Sequence, residues 1–270
     1  MKTKVVLTIA GSDSCGGAGI QADLKTFSAL GTYGMSVITA VTAQNTTGVV
    51  DVREMDEAIV KNQIDCLFAD IEIDAVKIGM VSSTEIINVI AACLKKNKAV
   101  NIVVDPVMVS KSGYELLRPE AKEELLKALL PIAAVVTPNI PEAELITNEK
   151  IENLAQMEKA ARSIYELGPA CVVVKGGHLT QDAIDVLFDG SNFKYLRGTR
   201  VATKNTHGTG CTFSSAITAH LARGYAVPEA VTLAKDYING AILHSIDLGH
   251  GFGPTGHFYD LYRKAGIVND

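Results

Sequence analysis

The chain has 270 residues, 47% of them hydrophobic and 20% charged, a balance that suits a soluble globular protein with an extensive core. Its formal net charge of -5, with no cluster of Lys and Arg that stands out, argues against nucleic acid as the main partner. No apolar run approaches the roughly 18 residues that a membrane span needs, and the opening MKTKVVLTIAGSD is too short in its apolar part for a signal peptide. The cysteines (Cys15, Cys66, Cys93, Cys171, Cys211) are odd in number and lack CxxC spacing, which reads as free thiols in a cytoplasmic protein.

In chain order, a β-branched strand over residues 5–10 leads through a glycine-rich loop into a helix over 20–30. Strand 36–43 precedes helix 56–69, and strand 75–80 precedes helix 84–96. Strand 102–107 and helix 119–130 follow, then strand 134–138, helix 153–167 and strand 171–175. This alternation predicts a mostly parallel sheet with helices on both faces. Runs 183–188 and 193–197, split by Asp189-Gly190-Ser191-Asn192, give a hairpin signal and predict antiparallel strands at one edge. The last third turns helical over 211–223, closed by Gly224, and over 228–248. With no repeat, low-complexity tract or Pro/Gly/Ser-rich linker, residues 1–270 read as one three-layer α/β/α domain. Ligands of such sheets bind beyond the C-terminal ends of the strands. Residues 11–19, Gln44, Met80, Asp105, Asn139 and Gly176 gather there.

The segment Lys204-Asn205-Thr206-His207-Gly208-Thr209-Gly210-Cys211 joins a lysine, hydroxyl and amide side chains and two glycines to the start of an amphipathic run. Glycines let backbone N–H groups approach a ligand closely, and a helix start leaves N–H groups free. Together they form a socket for a multiply charged anion. A thiol, Cys211, stands beside that socket, which points to phosphoryl transfer. No GxxxxGK[ST] occurs, so this is not a P-loop chain. The loop 11–19, opened by Gly11, lacks GxGxxG spacing but could close over a small substrate. Asp105, before Pro106, and Glu142, after Asn139 at a helix start, are placed to hold Mg²⁺. Singly, each would serve equally well as a turn cap or a helix-dipole partner. The histidines fit no zinc spacing, and His220, inside a helix, reads as structural.

The runs LTIAGSDSCGGAGIQADLKTFSALGTYGMSVITAVTAQNT, VVDPVMVSKSG, TPNIPEAELI, VVKGGH, KNTHGTGCTFSSAI and GHGFGP resemble the hydroxymethylpyrimidine/phosphomethylpyrimidine kinases of thiamine biosynthesis, members of the ribokinase-like fold. The resemblance extends from about residue 5 to about residue 258. It implies a mostly parallel sheet with antiparallel edge strands, a homodimer, and two ATP-dependent phosphorylations of one pyrimidine. It also implies a role for each matched residue. Gly208, Thr209, Gly210 and Cys211 form the anion hole, with Cys211 as general base. Asp105 and Glu142 surround Mg²⁺, Lys175 and Lys204 lie near the phosphates, and Asn205 and Thr206 border the nucleotide.

A helix start contributes ~0.3–1 kcal/mol, less than the ~1.4 kcal/mol of one pKa unit, so it leaves Cys211 mostly protonated at neutral pH. Gln44 is the expected specificity residue. A 4-aminopyrimidine sets a ring-nitrogen acceptor beside an amino donor, and a primary amide offers the complementary pair. Asp23 is a second polar candidate, Met80 and Val107 are apolar walls, and Gly11 opens the loop over the substrate. Pyridoxal kinases are the alternative within the same fold, but that branch has Met where Gln44 stands and Ala where Thr209 stands. A binding protein without chemistry would have lost Cys211, Asp105 or Glu142, and all are present.

Overall fold

The structure is a computed structural model in which residues 2–109, 113–114, 116–118, 120–177 and 183–268 are described. Ser110, Lys111 and Ser112 of the VVDPVMVSKSG run, Pro119 and His178 lie outside the described residues. The elements run β1 (Val5–Asp13), α1 (Gly19–Ala29), β2 (Tyr33–Asn45), β3 (Gly48–Glu54), α2 (Glu57–Asp70), β4 (Ala75–Ile78), α3 (Thr84–Lys96) and β5 (Ile102–Val104). They continue with α4 (Ala121–Glu124), β6 (Val135–Val136), α5 (Ile140–Thr147), α6 (Leu154–Tyr165), β7 (Val172–Val174), β8 (Ala183–Phe188) and β9 (Phe193–Gly198). The chain then turns helical in α7 (Thr209–Ala222), α8 (Val227–Leu243) and α9 (Tyr259–Lys264).

Among the described residues the strands form one sheet in the order β3-β2-β1-β4-β5-β6-β7-β8-β9. Neighbours from β2 to β7 pair in parallel. The pairs β2–β3, β7–β8 and β8–β9 are antiparallel. Antiparallel strands therefore close both edges, where the hairpin signal predicted one. β3 escaped prediction because its outward side chains carry no core pattern; Val50 is 79% exposed. Strand order reverses around β1, which sits between β2 and β4, and such a reversal opens a ligand crevice at the strand ends.

The central strands are apolar on both faces because both are covered. Leu7, Ile9, Val76, Ile78, Val172 and Val174 pack in the core shared with α2, α3 and α6. Val103, Val135 and Val173 face the opposite core, built from α7 and α8, while Val6 meets Phe27 of α1 and Ala219 of α7. Thr8 and Lys77 break the apolar run on this second side, and both are fully buried.

Side-chain caps fix several helix starts. Asp56, Ser83 and Asn153 accept the N–H groups of Ile59, Ile86 and Gln156. The predicted helix 119–130 instead divides into α4, a π turn over Leu125–Leu129 and a 3₁₀ turn over Leu130–Ile132, where Pro131 supplies no N–H. The strand predicted to 107 stops at Val104, since Pro106 removes a ladder donor. Helix α8 ends at Leu243, short of the predicted 248, and α5 and α9 are helices that the periodicity did not delimit.

His220 in α7 is buried, its ring edge-on to Tyr225 at 5.5 Å, and its Nδ1 has no hydrogen-bond partner. Burial, helped by Arg223, pushes its pKa down to about 4. The unfolded chain then binds the extra proton between about pH 6.5 and 4. Stability is complete above that window and is lost as pH falls through it, by at most about 3 kcal/mol from this group. His220→Phe keeps the ring and removes the unpaired nitrogen, so urea midpoints measured from pH 7 to pH 4.5 are expected to decline less steeply than in the wild type. Parallel declines would assign the acid sensitivity elsewhere.

Candidate active site

A cavity of about 720 Å³ opens at the C-terminal ends of β1, β4, β5 and β7, with the first turn of α7 on one side. Gly208 precedes that turn with φ 77°, a left-handed conformation that favours glycine. A Cβ on Gly208 would collide with the Gly17 carbonyl, so the turn and the glycine-rich loop fit together only without side chains there. Helix α7 starts at Thr209. The N–H groups of Gly210 and Cys211 thus fall in the first turn, which has no intrahelical acceptors. A Cβ on Gly210 would sit 3.3 Å from Lys175 Nζ and 3.5 Å from Asp105 Oδ2, which puts an ion pair against the turn.

Asp105 Oδ1 accepts from Lys175 Nζ at 2.8 Å and from Thr137 at 3.0 Å. Its Oδ2 accepts from Ser214 of α7 at 3.3 Å. Burial works against ionisation of Asp105, but Lys175 and Lys77 hold its pKa below the ordinary value. Glu142 closes a capping box with Asn139: its carboxylate accepts the Asn139 N–H at 2.8 Å, and the Asn139 side chain accepts the Glu142 N–H at 2.9 Å. Its pKa is pushed up to about 7, chiefly by burial and further by the Asp105 charge, against the pull of Lys175. A carboxyl held near neutrality beside a second carboxylate suits a site that gains a cation. Both donors are hard oxygens and only two in number, so a divalent cation here would take its other ligands from water or phosphate. Among the described residues no group of three or more His, Cys, Asp and Glu is placed to hold a metal.

Cys211 follows the glycine turn as the third residue of α7. Burial pushes its thiol up to about 11, against the pull of the Lys77 ammonium. Lys77 itself is paired with Asp23 at 2.9 Å, with no exposed side-chain surface on either residue. Thr8 and Ser215 donate to the same carboxylate, each at 2.6 Å. Burial would neutralise Lys77, but the charges of Asp23 and Asp105 keep it an ammonium ion.

Across the cavity, Gln44 lies at the end of β2. Its backbone N–H donates to Ser14 Oγ at 2.8 Å, and Ser14 Oγ donates to its carbonyl at 2.7 Å. Asp13 ends β1, and its carboxylate accepts the N–H groups of Cys15, Gly17 and Ala18. His207 Nε2 lies 2.8 Å from Asp13 Oδ2 and 3.3 Å from the Gln44 amide. Burial opposes ionisation of Asp13, yet the bonds from His207, Ala18 and Cys15 hold its pKa below the ordinary value. The GHGFGP run straps both sides of the cavity: Phe252 N–H donates to the Thr46 carbonyl at 2.8 Å, and His207 N–H donates to the Gly253 carbonyl at 3.0 Å.

The sequence profile of the family described as phosphomethylpyrimidine kinase matches residues 13–256. The chain belongs to this family. The hydroxymethylpyrimidine/phosphomethylpyrimidine kinase of Rhizobium meliloti (strain 1021) is 52% identical over 97% of this chain and 99% of its own length. A crystal structure of phosphomethylpyrimidine kinase from Clostridium difficile 630 is 57% identical, with a TM-score of 0.80, over 89% of this chain and 100% of that one. A pyridoxal kinase from Staphylococcus aureus, solved in complex with AMP-PCP and pyridoxal, has a TM-score of 0.89 at 38% identity, over 96% of this chain and 94% of that one.

For this member of the family, the structure brings Gly11, Gln44, Met80, Asp105, Val107, Glu142, Lys175, Thr206, Gly208, Thr209, Gly210 and Cys211 to one cavity. Three expected residues stand outside it. Asp23 is fully buried in the Lys77 pair behind α7, out of reach of a substrate. Lys204 is half-exposed and pairs with Asp247 at 3.4 Å. Asn205 is buried, its side-chain oxygen accepting the Gly253 N–H at 3.1 Å, so it anchors the strap. The sequence reading missed Asp13, and it also missed the buried pair Lys235–Asp185 at 2.7 Å, whose members line the far end of the cavity. The signal for Lys77 was present, since a lysine inside the buried run Ala75–Ile78 needs an acidic partner.

Removing one member of a buried pair leaves an uncompensated charge, at a cost of about 3–5 kcal/mol. Asp23→Ala is expected to lower the unfolding free energy by about that amount, while Asp23→Leu combined with Lys77→Met recovers most of it. Urea denaturation checks both. A single-variant loss under about 1 kcal/mol, the range of exposed pairs, would contradict the burial argument.

Proposed function

We propose that this protein transfers phosphate from ATP to the hydroxymethyl group of 4-amino-5-hydroxymethyl-2-methylpyrimidine, and then to the resulting monophosphate to give the diphosphate. The observation that carries this reading is that one cavity holds both an amide suited to a 4-aminopyrimidine, Gln44, and an anion turn with a thiol beside it. Family membership supports the chemistry. The described sheet and its helices are read as one kinase domain that acts as a homodimer.

In the first step the pyrimidine alcohol oxygen bonds to the γ-phosphorus while the bond to the β–γ bridging oxygen breaks, releasing ADP. Such transfer is loose, so positioning and charge stabilisation dominate. The N–H groups of Gly210 and Cys211 face the charge that develops on the transferring group. Lys175 shares that charge from beside Gly210. Asp105 and Glu142 would hold Mg²⁺, which when bound neutralises charge on the phosphates. The alcohol proton leaves late, once the new O–P bond has raised its acidity, and Cys211 as thiolate accepts it. Burial opposes that thiolate and Lys77 favours it. For the monophosphate the nucleophile is already an anion and needs no base. Met80 and Val107 wall the ring, and Gln44 reads its edge.

ADP release from Mg-ATP, measured separately with the pyrimidine alcohol, its monophosphate and pyridoxal, tests the reading. Turnover of both pyrimidines with weak pyridoxal activity is expected. Strong pyridoxal turnover without pyrimidine turnover would favour the vitamin B6 alternative. Gln44→Met is expected to raise KM for the pyrimidine far more than KM for ATP. Cys211→Ala is expected to lower kcat for the alcohol by about 10²–10⁴. It should also abolish the alkaline rise in kcat, because a base with a raised pKa becomes active as pH increases towards about 11. A loss under about threefold would assign the thiol to packing.

A further inference from the structure

We propose that Asp13 and His207 are positioning residues that fix which end of the Gln44 amide faces which way, and so decide that the site reads a 4-amino rather than a 4-oxo pyrimidine edge. The inference rests on the reading of Gln44 given above and goes beyond it by naming what orients the amide. As placed, the amide nitrogen lies 3.3 Å from His207 Nε2, and the amide oxygen lies 3.4 Å from Thr42 Oγ1. Each neighbour can be assigned a donor or acceptor role independently.

His207 Nε2 is 2.8 Å from Asp13 Oδ2. An ionised carboxylate only accepts, so this nitrogen carries a hydrogen, whether the ring is neutral or charged. It therefore has no lone pair for an NH₂ group. Thr42 Oγ1 has one hydrogen, and the Ser12 carbonyl at 3.1 Å is its nearer acceptor. It therefore offers Gln44 a lone pair and prefers a donor. His207 can share its single Nε2–H between Asp13 and the amide only as a three-centre bond to two oxygens, so both neighbours favour Oε1 towards His207 and Nε2 towards Thr42. A half-turn of the terminal amide, which costs no backbone movement, achieves it.

That orientation leaves one oxygen lone pair and one N–H on the outer edge of the amide. The oxygen on the His207 side accepts from the exocyclic amine, and the N–H on the Thr42 side donates to the adjacent ring nitrogen. A 4-oxo analogue carries a ring N–H beside a carbonyl, the reverse order. It fits only if the amide turns over, which would set the amide NH₂ against His207 Nε2–H. Discrimination between the two rings thus originates at Asp13, through His207, although neither needs to touch the ring edge.

The test compares kcat/KM for the 4-amino substrate with that for its 4-oxo analogue, 5-hydroxymethyl-2-methylpyrimidin-4-one, using full-length wild type, His207→Phe, His207→Gln and Thr42→Val. The wild type is expected to prefer the amino ring strongly. His207→Phe removes the shared donor and should shrink the ratio by about two- to tenfold, the worth of one hydrogen bond. His207→Gln can still donate and should recover part of the ratio. Thr42→Val removes the second support, should also lower the ratio, and leaves the anion turn untouched should His207→Phe fold poorly. Equal losses on both rings in every variant, with the ratio unchanged, would reduce His207 to a structural role and overturn the proposal. A wild type that uses neither ring would overturn the proposed function itself. A ratio insensitive to Gln44→Ala would overturn the assignment of Gln44 as reader.

Discussion

Behind the first turns of α7, two buried acid–base pairs meet adjacent hydroxyls: Ser214 donates to Asp105, which holds Lys175, and Ser215 donates to Asp23, which holds Lys77. These contacts tie the helix that carries the anion turn to β4, to α1 and to the loops after β5 and β7. Charges so placed are costly unless every lone pair and proton is engaged. Asp23 accepts three such bonds and Asp105 accepts three, so the engagement is close to complete. The position of Cys211 and of the free N–H groups follows from this fastening.

The same fastening shapes the local field. The chain as a whole is negative, with a formal charge of -5, yet the anion turn looks onto Lys175 and, behind it, Lys77. Asp105 supplies the opposite sign nearby, and burial raises the pKa of the Glu142 carboxyl to about 7, so that it is only partly ionised near neutral pH. In the proposed reading, a phosphate with its cation would meet donors on one side and carboxylates on the other. The thiol of Cys211 sits at the junction, where burial and Lys77 pull in opposite directions.

A second organising constraint is close backbone approach. Gly208 packs against the Gly17 carbonyl, and the GHGFGP run bonds to both Thr46 and His207. The glycine-rich loop, the end of β2 and the anion turn are thus one interlocked unit rather than separate loops. Asp13 caps the N–H groups of Cys15, Gly17 and Ala18 and also reaches His207, so the loop that covers the cavity and the residue that orients Gln44 share one carboxylate.

Much of this was legible in the chain itself. β-Branched runs alternating with helical periods dictated a parallel sheet covered on both faces, because burial on both faces leaves a continuous apolar signature in the sequence. The glycines of the 204–211 segment announced the helix start with free N–H groups that the structure places at Thr209, since backbone access and helix starts are local properties. What only the tertiary structure decided are pairings between distant positions. Asp23 meets Lys77 across 54 residues, Gln44 meets His207 across 163, and Asp13 meets His207 across 194. The partners Lys77 of Asp23, Asp247 of Lys204 and Gly253 of Asn205 are likewise remote in sequence from the residues they meet. Local periodicity records which face of an element is buried, but a charge or hydrogen-bond partner is chosen by proximity in space, and that exists only once the layers have packed.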